Sequence, residues 1–528
     1  MDDAPAETGC VPTAEDNAGD VSPVSLAVLK SRAQVGVEAP SVTIEVFLSG
    51  GLPTVSIVGL AETAVRESRD RVRGAILNSG FKFPQERIAV SLGPADLRKT
   101  GGRFDLAIAL GILAAQRIVP QHDFDEYEFY GELGMNGELH PIPGTLPAAL
   151  KAGEAGKAVF VPVQNGLEAT LSTARVFVAE SLLEVTGHLR GARIAAPLHR
   201  SVPRVVGSPA PDLAEVKGQG VARRALEIAA AGGHNILFSG PPGTGKSMLA
   251  RRLPGILPPM SDREALETAA VDSVLGRTFD LSRWRQRPFR APHHTASAAS
   301  LVGGGSDPRP GEISRAHNGV LFLDELPEFS RHVLEVLREP MESGMTTISR
   351  ANGQADFPAR FQLVAAMNPC PCGYLGDPRG GCRCSADRVR NYRAKISGPL
   401  LDRIDLQVMV QRLPAETLRP GSSTAEASAS VRERVCAARE RQERRSGDCN
   451  ARLTSDLIEE VCALSPEAWE LLEQATERFG LSARAHQRVR RVARTIADLG
   501  GRAEITVEHV AEALGLRQFD RDVALLSG

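Results

Sequence analysis

Residues 235–252, Asn-Ile-Leu-Phe-Ser-Gly-Pro-Pro-Gly-Thr-Gly-Lys-Ser-Met-Leu-Ala-Arg-Arg, read as a buried strand, a glycine-rich turn and the opening of a helix. The pattern GxxxxGK followed by Ser runs from Gly240 through Pro241, Pro242, Gly243, Thr244, Gly245 and Lys246 to Ser247. Glycines at these spacings let the backbone turn so tightly that successive N–H groups point into one concavity, and the following helix adds its positive end. A triphosphate fits such a cradle. Lys246 is then expected along the β and γ phosphates, with the Ser247 hydroxyl on Mg²⁺.

Length and composition bound the rest of the chain. The 528 residues exceed a single core, and roughly 150 residues per domain predicts three or four units. No run of about 18 apolar residues occurs, and the start of the chain lacks the basic-then-apolar layout of a secretory signal, so the expectation is a cytoplasmic protein with no membrane partner. A formal net charge of -2 excludes a globally basic nucleic-acid binder, leaving only local contacts such as loops lining a channel. Of eight cysteines, four fall between Cys370 and Cys384, which in a reducing compartment favours metal over disulfides.

The segment before Val24 holds six carboxylates and no Lys or Arg through residue 22, and reads as a disordered acidic tail. From Val24 to His199 short β-rich runs, such as 42–48 and 87–92, alternate with helical ones, such as 62–78 and 104–115, which predicts an α+β domain. Residues 201–213 are rich in Pro, Gly and Ser and read as a linker. Val221 to Ala231 reads as a helix closed by Gly232 and Gly233, just before the phosphate-loop strand.

Downstream, Val320-Leu-Phe-Leu-Asp-Glu325 is an apolar run ending in two acids, as expected of a central parallel strand delivering carboxylates at its C-terminal end. Asp324 suits the Mg²⁺ shell, and Glu325 suits orienting and deprotonating water. The apolar run 361–367 ends in Asn368, an amide suited to positioning water and sensing a γ phosphate. Arg403, in Gly-Pro-Leu-Leu-Asp-Arg-Ile-Asp, offers an always-charged planar guanidinium for a transferring phosphoryl group. It could reach a neighbour's nucleotide in a ring, or pair within the chain with Asp402 or Asp405. The adjacent His293 and His294 make a poor chelating pair and read as hydrogen-bonding or substrate contacts. Gly303, Gly304 and Gly305 suggest a loop tip that approaches something closely. Residues 346–358 read as a hairpin with Asn352-Gly353 as a type I′ turn and Arg350 near its tip, facing either a phosphate backbone or plain solvent.

Cys370-Pro-Cys372 and Cys382-Arg-Cys384 can supply four sulfur ligands to Zn²⁺, although the spacing also fits free thiols or redox chemistry. Residues 414–430 form a second flexible-looking break, and the chain beyond it is helical. Residues 431–445, dense in Arg and Glu, read as a solvated helix. Ser465 and Pro466 open a helix that Gly480 closes. In the next helix Val489, Val492, Ala493 and Ile496 form an apolar stripe, while Arg484, Arg488 and Arg491 share another face. In a lid over a nucleotide one of these arginines would meet the γ phosphate, and Arg484 is the candidate.

With these residues in place, the chain from about 24 to 520 resembles the YifB/ComM family of magnesium-chelatase-like AAA+ ATPases. The specific stretches are GLPTVSIVGLAETAVRESRDRVRGAILNSGF, RPFRAPHH, PGEISRAHNGVLFLDELPEF, NPCPCG, GPLLDRID and LSARAHQRVRRVARTIADL. Composition and the resemblance together give a multi-domain chain: the acidic tail at 1–22, which departs from the family's usual text, then the Lon-protease-like α+β domain at 23–200 that the resemblance implies, and the linker at 201–215. An α/β AAA+ P-loop core follows at 216–412, with a Cys-rich insertion at 370–384, then a linker at 413–430 and an α-helical lid at 431–528. The Ser–Lys dyad of Lon proteases would fall near Arg103 and Pro147, neither of which can act as nucleophile or base. It implies a homo-hexameric, ATP- and Mg²⁺-dependent motor, with Asn368 as first sensor, Arg484 as second and Arg403 acting in trans. Members of the ComM type act as DNA helicases that drive branch migration during natural transformation, so DNA is the expected polymer, touched by Arg350 and Gly303–Gly305. The competing expectation is a magnesium-chelatase-type or protein-remodelling subunit that grips a protein partner through its N-terminal domain.

Overall fold

The computed structural model describes residues 25–60, 62–199, 210–305, 308–350, 353–377, 379–418 and 425–518, so the acidic tail and most of the first linker lie outside the described residues. Two compact units emerge, one made mostly of residues up to His199 and one mostly of residues from Arg200 onward. Among the described residues no helix is long and apolar enough to cross a membrane.

In the first unit, Ser25–Arg32, Ser41–Ser49, Arg87–Gly93 and Thr54–Val58 lie side by side in one sheet. The strand Ser41–Ser49 alternates, with Val42, Ile44, Val46 and Leu48 buried, as a strand with one covered face must. Helix Asp105–Ala115 is buried at every residue, which explains its unbroken apolar run. A second, parallel sheet joins Tyr127–Phe129, Ala158–Pro162 and Val176–Ala179. The α+β alternation expected from the sequence is therefore present. Arg103 is buried, its Nη1 donates to the Arg32 carbonyl at 3.4 Å, and burial pulls its pKa down to about 10. Pro147 lies within the helix Thr145–Glu154.

The second unit is built on five parallel strands in the spatial order Phe289–Arg290, Val320–Leu323, Gln362–Met367, Ile236–Ser239 and Leu406–Met409. The first of these in the chain, Ile236–Ser239, lies between the fourth and the fifth and is buried throughout. Strands covered on both faces read as continuous apolar runs rather than alternations, which is how VLFL and QLVAAM look in sequence. All five deliver their chain to the same end of the sheet, where open α/β sheets bind ligands.

The C-terminal helices share the hydrophobic core of this sheet: Phe238 and Leu249 belong to one cluster with Val435, Leu472 and Val492. Local signals placed these helices well. Ser465 caps Pro466–Phe479 by accepting from Ala468 N–H, and Gly480 ends it in the left-handed conformation. Helix Ala483–Leu499 buries Val489, Val492, Ala493 and Ile496 as its stripe requires.

Two expectations change. Helix Ser428–Ser446 is not a solvated helix: Val431, Val435, Ala438 and Gln442 are buried, and Arg439 donates to the Ala230 and Ala231 carbonyls at 3.0 Å each. Its apolar positions are few but fall on one face, so a charged composition hid a docking stripe. The stretches that look like linkers also meet, since Leu213 N–H donates to Ser428 Oγ at 2.7 Å and Asp212 Oδ1 accepts from Ser428 N–H at 2.9 Å. Leu213 and Val216 are buried in the core of the second unit. Replacing Val435 by Ala should cost about 1 to 3 kcal/mol, whereas Glu433→Ala on the exposed face should stay within about 0.5 kcal/mol. Thermal unfolding of the two variants beside the parent checks the difference.

Candidate nucleotide site

The phosphate loop turns where glycine alone is comfortable, with Gly243 at φ 75° and Gly245 at φ 94°. Gly240 serves a different need: a Cβ there would lie 2.2 Å from the Val410 carbonyl oxygen, so the loop can leave the sheet only as glycine. Lys246 is buried, and its Nζ donates to the carbonyls of Gly240 at 2.7 Å and Pro241 at 2.9 Å, and to Asn368 Oδ1 at 3.2 Å. Burial pushes the Lys246 pKa down, while the nearby Asp324 and Glu325 carboxylates push it up. Ser247 Oγ donates to Asp324 Oδ2 at 2.6 Å, which brings together the two oxygens that hard-cation chemistry would use for Mg²⁺. Lys246, Ser247, Asp324 and Asn368 thus form one set at the carboxyl ends of three adjacent strands.

Glu325 follows its strand in the left-handed region at φ 53°, with its N–H bonded to Asp324 Oδ1 at 3.0 Å. Its carboxylate lies 3.2 Å from His294 Nδ1. His293 lies beside His294 with ring centroids 4.1 Å apart and planes tilted by 34°, and its Nδ1 is 2.9 Å from Thr295 Oγ1, so it is His294 that meets the acid.

Arg403 is not at this end of the sheet. Its backbone carbonyl accepts from Asn235 Nδ2 at 3.1 Å, and Asn235 precedes the strand that leads into the phosphate loop. At about 3.3 Å per residue the strand separates the two ends by roughly 15 Å. The guanidinium is buried, donates to the Pro399 carbonyl at 2.6 Å and pairs with Glu342 rather than with Asp402 or Asp405. Glu335, Arg338, Glu339, Glu342, Ser343 and Arg403 line a hollow of about 350 Å³ there.

Asp405 is occupied elsewhere. Its Oδ2 accepts from Asn235 N–H at 3.0 Å, its Oδ1 from Arg488 Nη1 at 2.6 Å, and His234 Nδ1 lies 3.6 Å away. Burial raises the Asp405 pKa, but Arg488 and His234 outweigh it and hold the carboxyl well below the usual range. Arg491 donates to the Leu453 carbonyl at 2.5 Å. Of the three arginines on that face, only Arg484 is exposed, in the first turn of its helix.

Gly303 and Gly304 pair antiparallel with Pro310 and Arg309, and a Cβ at Gly303 would come 2.7 Å from Ile348 Cδ1. Ile348 sits on the hairpin Met345–Arg350 and Gly353–Pro358, so this structure places the triple-glycine turn against the hairpin. Arg350 pairs with Gly353, which corrects the expected turn: the connection is residues 351 and 352, outside the described residues, and Gly353 at φ 145° begins the return strand.

The sulfurs of Cys370, Cys372, Cys382 and Cys384 all lie within 4.8 Å of one another, and none is in a disulfide. The separations are 3.4 Å for Cys370 to Cys372, 3.8 Å for Cys370 to Cys382 and 3.7 Å for Cys372 to Cys382. Four thiolates about 2.3 Å from one tetrahedral zinc would stand about 3.8 Å apart, so the donor set fits that ion. Hydrogen bonds from the Tyr374 and Arg383 backbones pull the Cys372 thiol down to about 6, while at Cys382 a backbone hydrogen bond with Cys384 is outweighed by burial and the neighbouring sulfurs, which push that thiol up to about 11, and Cys384 is likewise pushed up.

Sequence reasoning did not pair His294 with Glu325, Glu342 with Arg403 or Asp405 with Arg488, because each meets its counterpart only through the tertiary fold. The arginine face yields a measurable split. Arg488→Ala leaves Asp405 buried without its cation and should cost about 3 to 5 kcal/mol, while Arg484→Ala should leave stability unchanged. Because the folded Asp405 pKa is depressed, its contribution is present above the unfolded value near about 3.9 and is lost as pH falls through the folded one. The Arg488→Ala deficit should therefore narrow in acid, as chemical denaturation at neutral and acidic pH will show.

Three family models match the chain: Subunit ChlI of Mg-chelatase over residues 44–165, Magnesium chelatase, subunit ChlI over 212–418, and Magnesium chelatase, subunit ChlI C-terminal over 425–517. The chain is 49% identical over 509 residues to competence protein ComM of Haemophilus influenzae, covering 96% of this chain and 100% of that protein. It is 47% identical over 502 residues to YifB of Escherichia coli, covering 94% and 98% respectively. The chloroplastic magnesium-chelatase subunit ChlI of Nicotiana tabacum is 26% identical over 156 residues, 25% of this chain and 37% of that one. With the strand order, the phosphate loop and near full-length identity in agreement, the chain belongs to the YifB/ComM family of magnesium-chelatase-like AAA+ ATPases.

Proposed function

We propose that this protein is a hexameric ATP-hydrolysing motor that acts on DNA, as a helicase or branch-migration factor in recombination or transformation. The observation that carries the ring is the position of Arg403, buried at the amino end of the strand whose carboxyl end bears the phosphate loop. A guanidinium there is too far away to serve its own chain's nucleotide, and it serves a neighbour's by leaving Glu342, with which it pairs in the single chain. Lys246 binds the phosphates, and Ser247 and Asp324 hold Mg²⁺, which neutralises phosphate charge when bound. Glu325 orients and deprotonates the attacking water, Asn368 reports the γ phosphate to Lys246, and Arg484 contacts nucleotide from the lid. Cys370, Cys372, Cys382 and Cys384 hold one structural Zn²⁺. The DNA reading is supported by likeness to competence protein ComM, and by the packing of Gly303 on the hairpin that ends at Arg350. With a net charge of -2, the contact has to be local.

A second reading, a motor subunit that remodels a protein gripped by the N-terminal domain, is favoured by the magnesium-chelatase family matches along the chain. Stimulation of ATPase by single-stranded, duplex, forked or four-way DNA, beside a protein control, separates the two. Under the first reading Arg350→Ala loses DNA stimulation and strand displacement while basal hydrolysis stays near the parent's; unchanged DNA dependence removes the hairpin from the DNA path. Arg403→Ala should lower hydrolysis by about 10³ to 10⁵. Mixing it with Lys246→Ala should restore part of the activity through mixed interfaces, and absence of any rescue would refute action in trans.

A further inference from the structure

The Cys-rich excursion is not remote from the phosphate loop. It begins two residues after Asn368, whose side chain accepts from Lys246. Its first turn closes with Gly373 N–H on the Cys370 carbonyl at 2.9 Å, and this sets Gly373 directly on the loop: a Cβ at Gly373 would lie 2.7 Å from Pro242 Cδ and 2.9 Å from Pro242 Cγ. Gly373 also holds φ 85°, the left-handed region that favours glycine, where the turn from Cys370 closes. The rest of the excursion is anchored on the other flank. Asp377 is buried and pairs with Arg412 at 3.3 Å, just after Val410, whose carbonyl fits against Gly240. Arg393 Nε ties in the Pro369 carbonyl at 3.2 Å.

We infer that the four-thiolate site is a metal brace for the nucleotide site: zinc closes the 370–384 excursion and thereby seats Gly373 on Pro242 and holds Asn368 beside Lys246. This rests on the reading of the four thiols as a zinc site. A short Gly- and Pro-rich excursion has little apolar core of its own, and its shape follows from whatever cross-links its two ends. Two cysteines stand at each end, and the turn that carries the first pair and closes at Gly373 is the one that touches the loop. Removing the cross-link frees that turn, and the loop loses a wall that pre-forms it for phosphate; pre-formed sites bind more tightly because less ordering remains to be done on binding.

The test uses the full chain without DNA. Zinc should be found at about one equivalent per chain. Stripping with a strong zinc chelator, removing the chelator and restoring Mg²⁺ should weaken binding of a fluorescent ATP analogue by about tenfold, and added zinc should restore it. Cys382→Ser should show the same loss. Gly373→Ala, which keeps all four thiols, should retain zinc yet weaken nucleotide binding by a similar factor, and it guards against misfolding of the cysteine variant. Metal-free parent protein would overturn the zinc reading and the brace together. Parent protein that carries zinc but binds nucleotide equally well after stripping would overturn the brace and leave the zinc site standing, as would full affinity in Gly373→Ala.

Discussion

The second unit depends on the pairing of one four-residue strand, Ile236–Ser239, on both of its edges. Ser239 stands opposite Met367 on one side and Met409 on the other. The residue after each partner is thereby delivered to the phosphate loop: Asn368 reaches Lys246, and the Val410 carbonyl becomes the wall that only Gly240 can meet. A slip of one residue in either register would turn those side chains to the other face. The chemistry of the loop is therefore set by backbone ladders well before any side chain is chosen.

The amino ends of the same strands are organised by a single buried charge. Asp405 collects Asn235, His234 and Arg488, and so ties the sheet to the helix Ala483–Leu499. Asn235 adds a further clamp, since its Oδ1 accepts from Leu363 N–H at 2.8 Å while its Nδ2 holds the Arg403 carbonyl. Buried charges that lack such partners are expensive, which makes this cluster an anchor rather than a hinge. Arg403 inherits its position from it.

Much of this was legible from local pattern. The phosphate loop, the strand ending in Asp324 and Glu325, Asn368 and the Ser465, Pro466 and Gly480 boundaries follow from spacing within a few residues, where chain geometry leaves little freedom. Partners distant in sequence were not legible. Glu342 pairs with Arg403 across 61 positions and Arg488 with Asp405 across 83, and no periodicity encodes such meetings. Helix Ser428–Ser446 misled for another reason: Val431, Val435 and Ala438 are sparse among charges, and four buried positions are enough to dock a helix whose stems of Arg and Glu cover the remainder. The four cysteines lay between these cases, because their spacing suggested a cluster while only the fold shows the sulfurs within 4.8 Å.

The left-handed backbone at Glu325 bears on how its identity should be understood. Glycine or asparagine occupies φ 53° with less strain than glutamate, for which that region costs about 1 to 2 kcal/mol. A residue chosen for conformational ease would not be an acid with a long side chain. The chain tolerates an ill-suited residue at the turn after Leu323, and that backbone sets the carboxylate beside His294 at the phosphate end of the sheet.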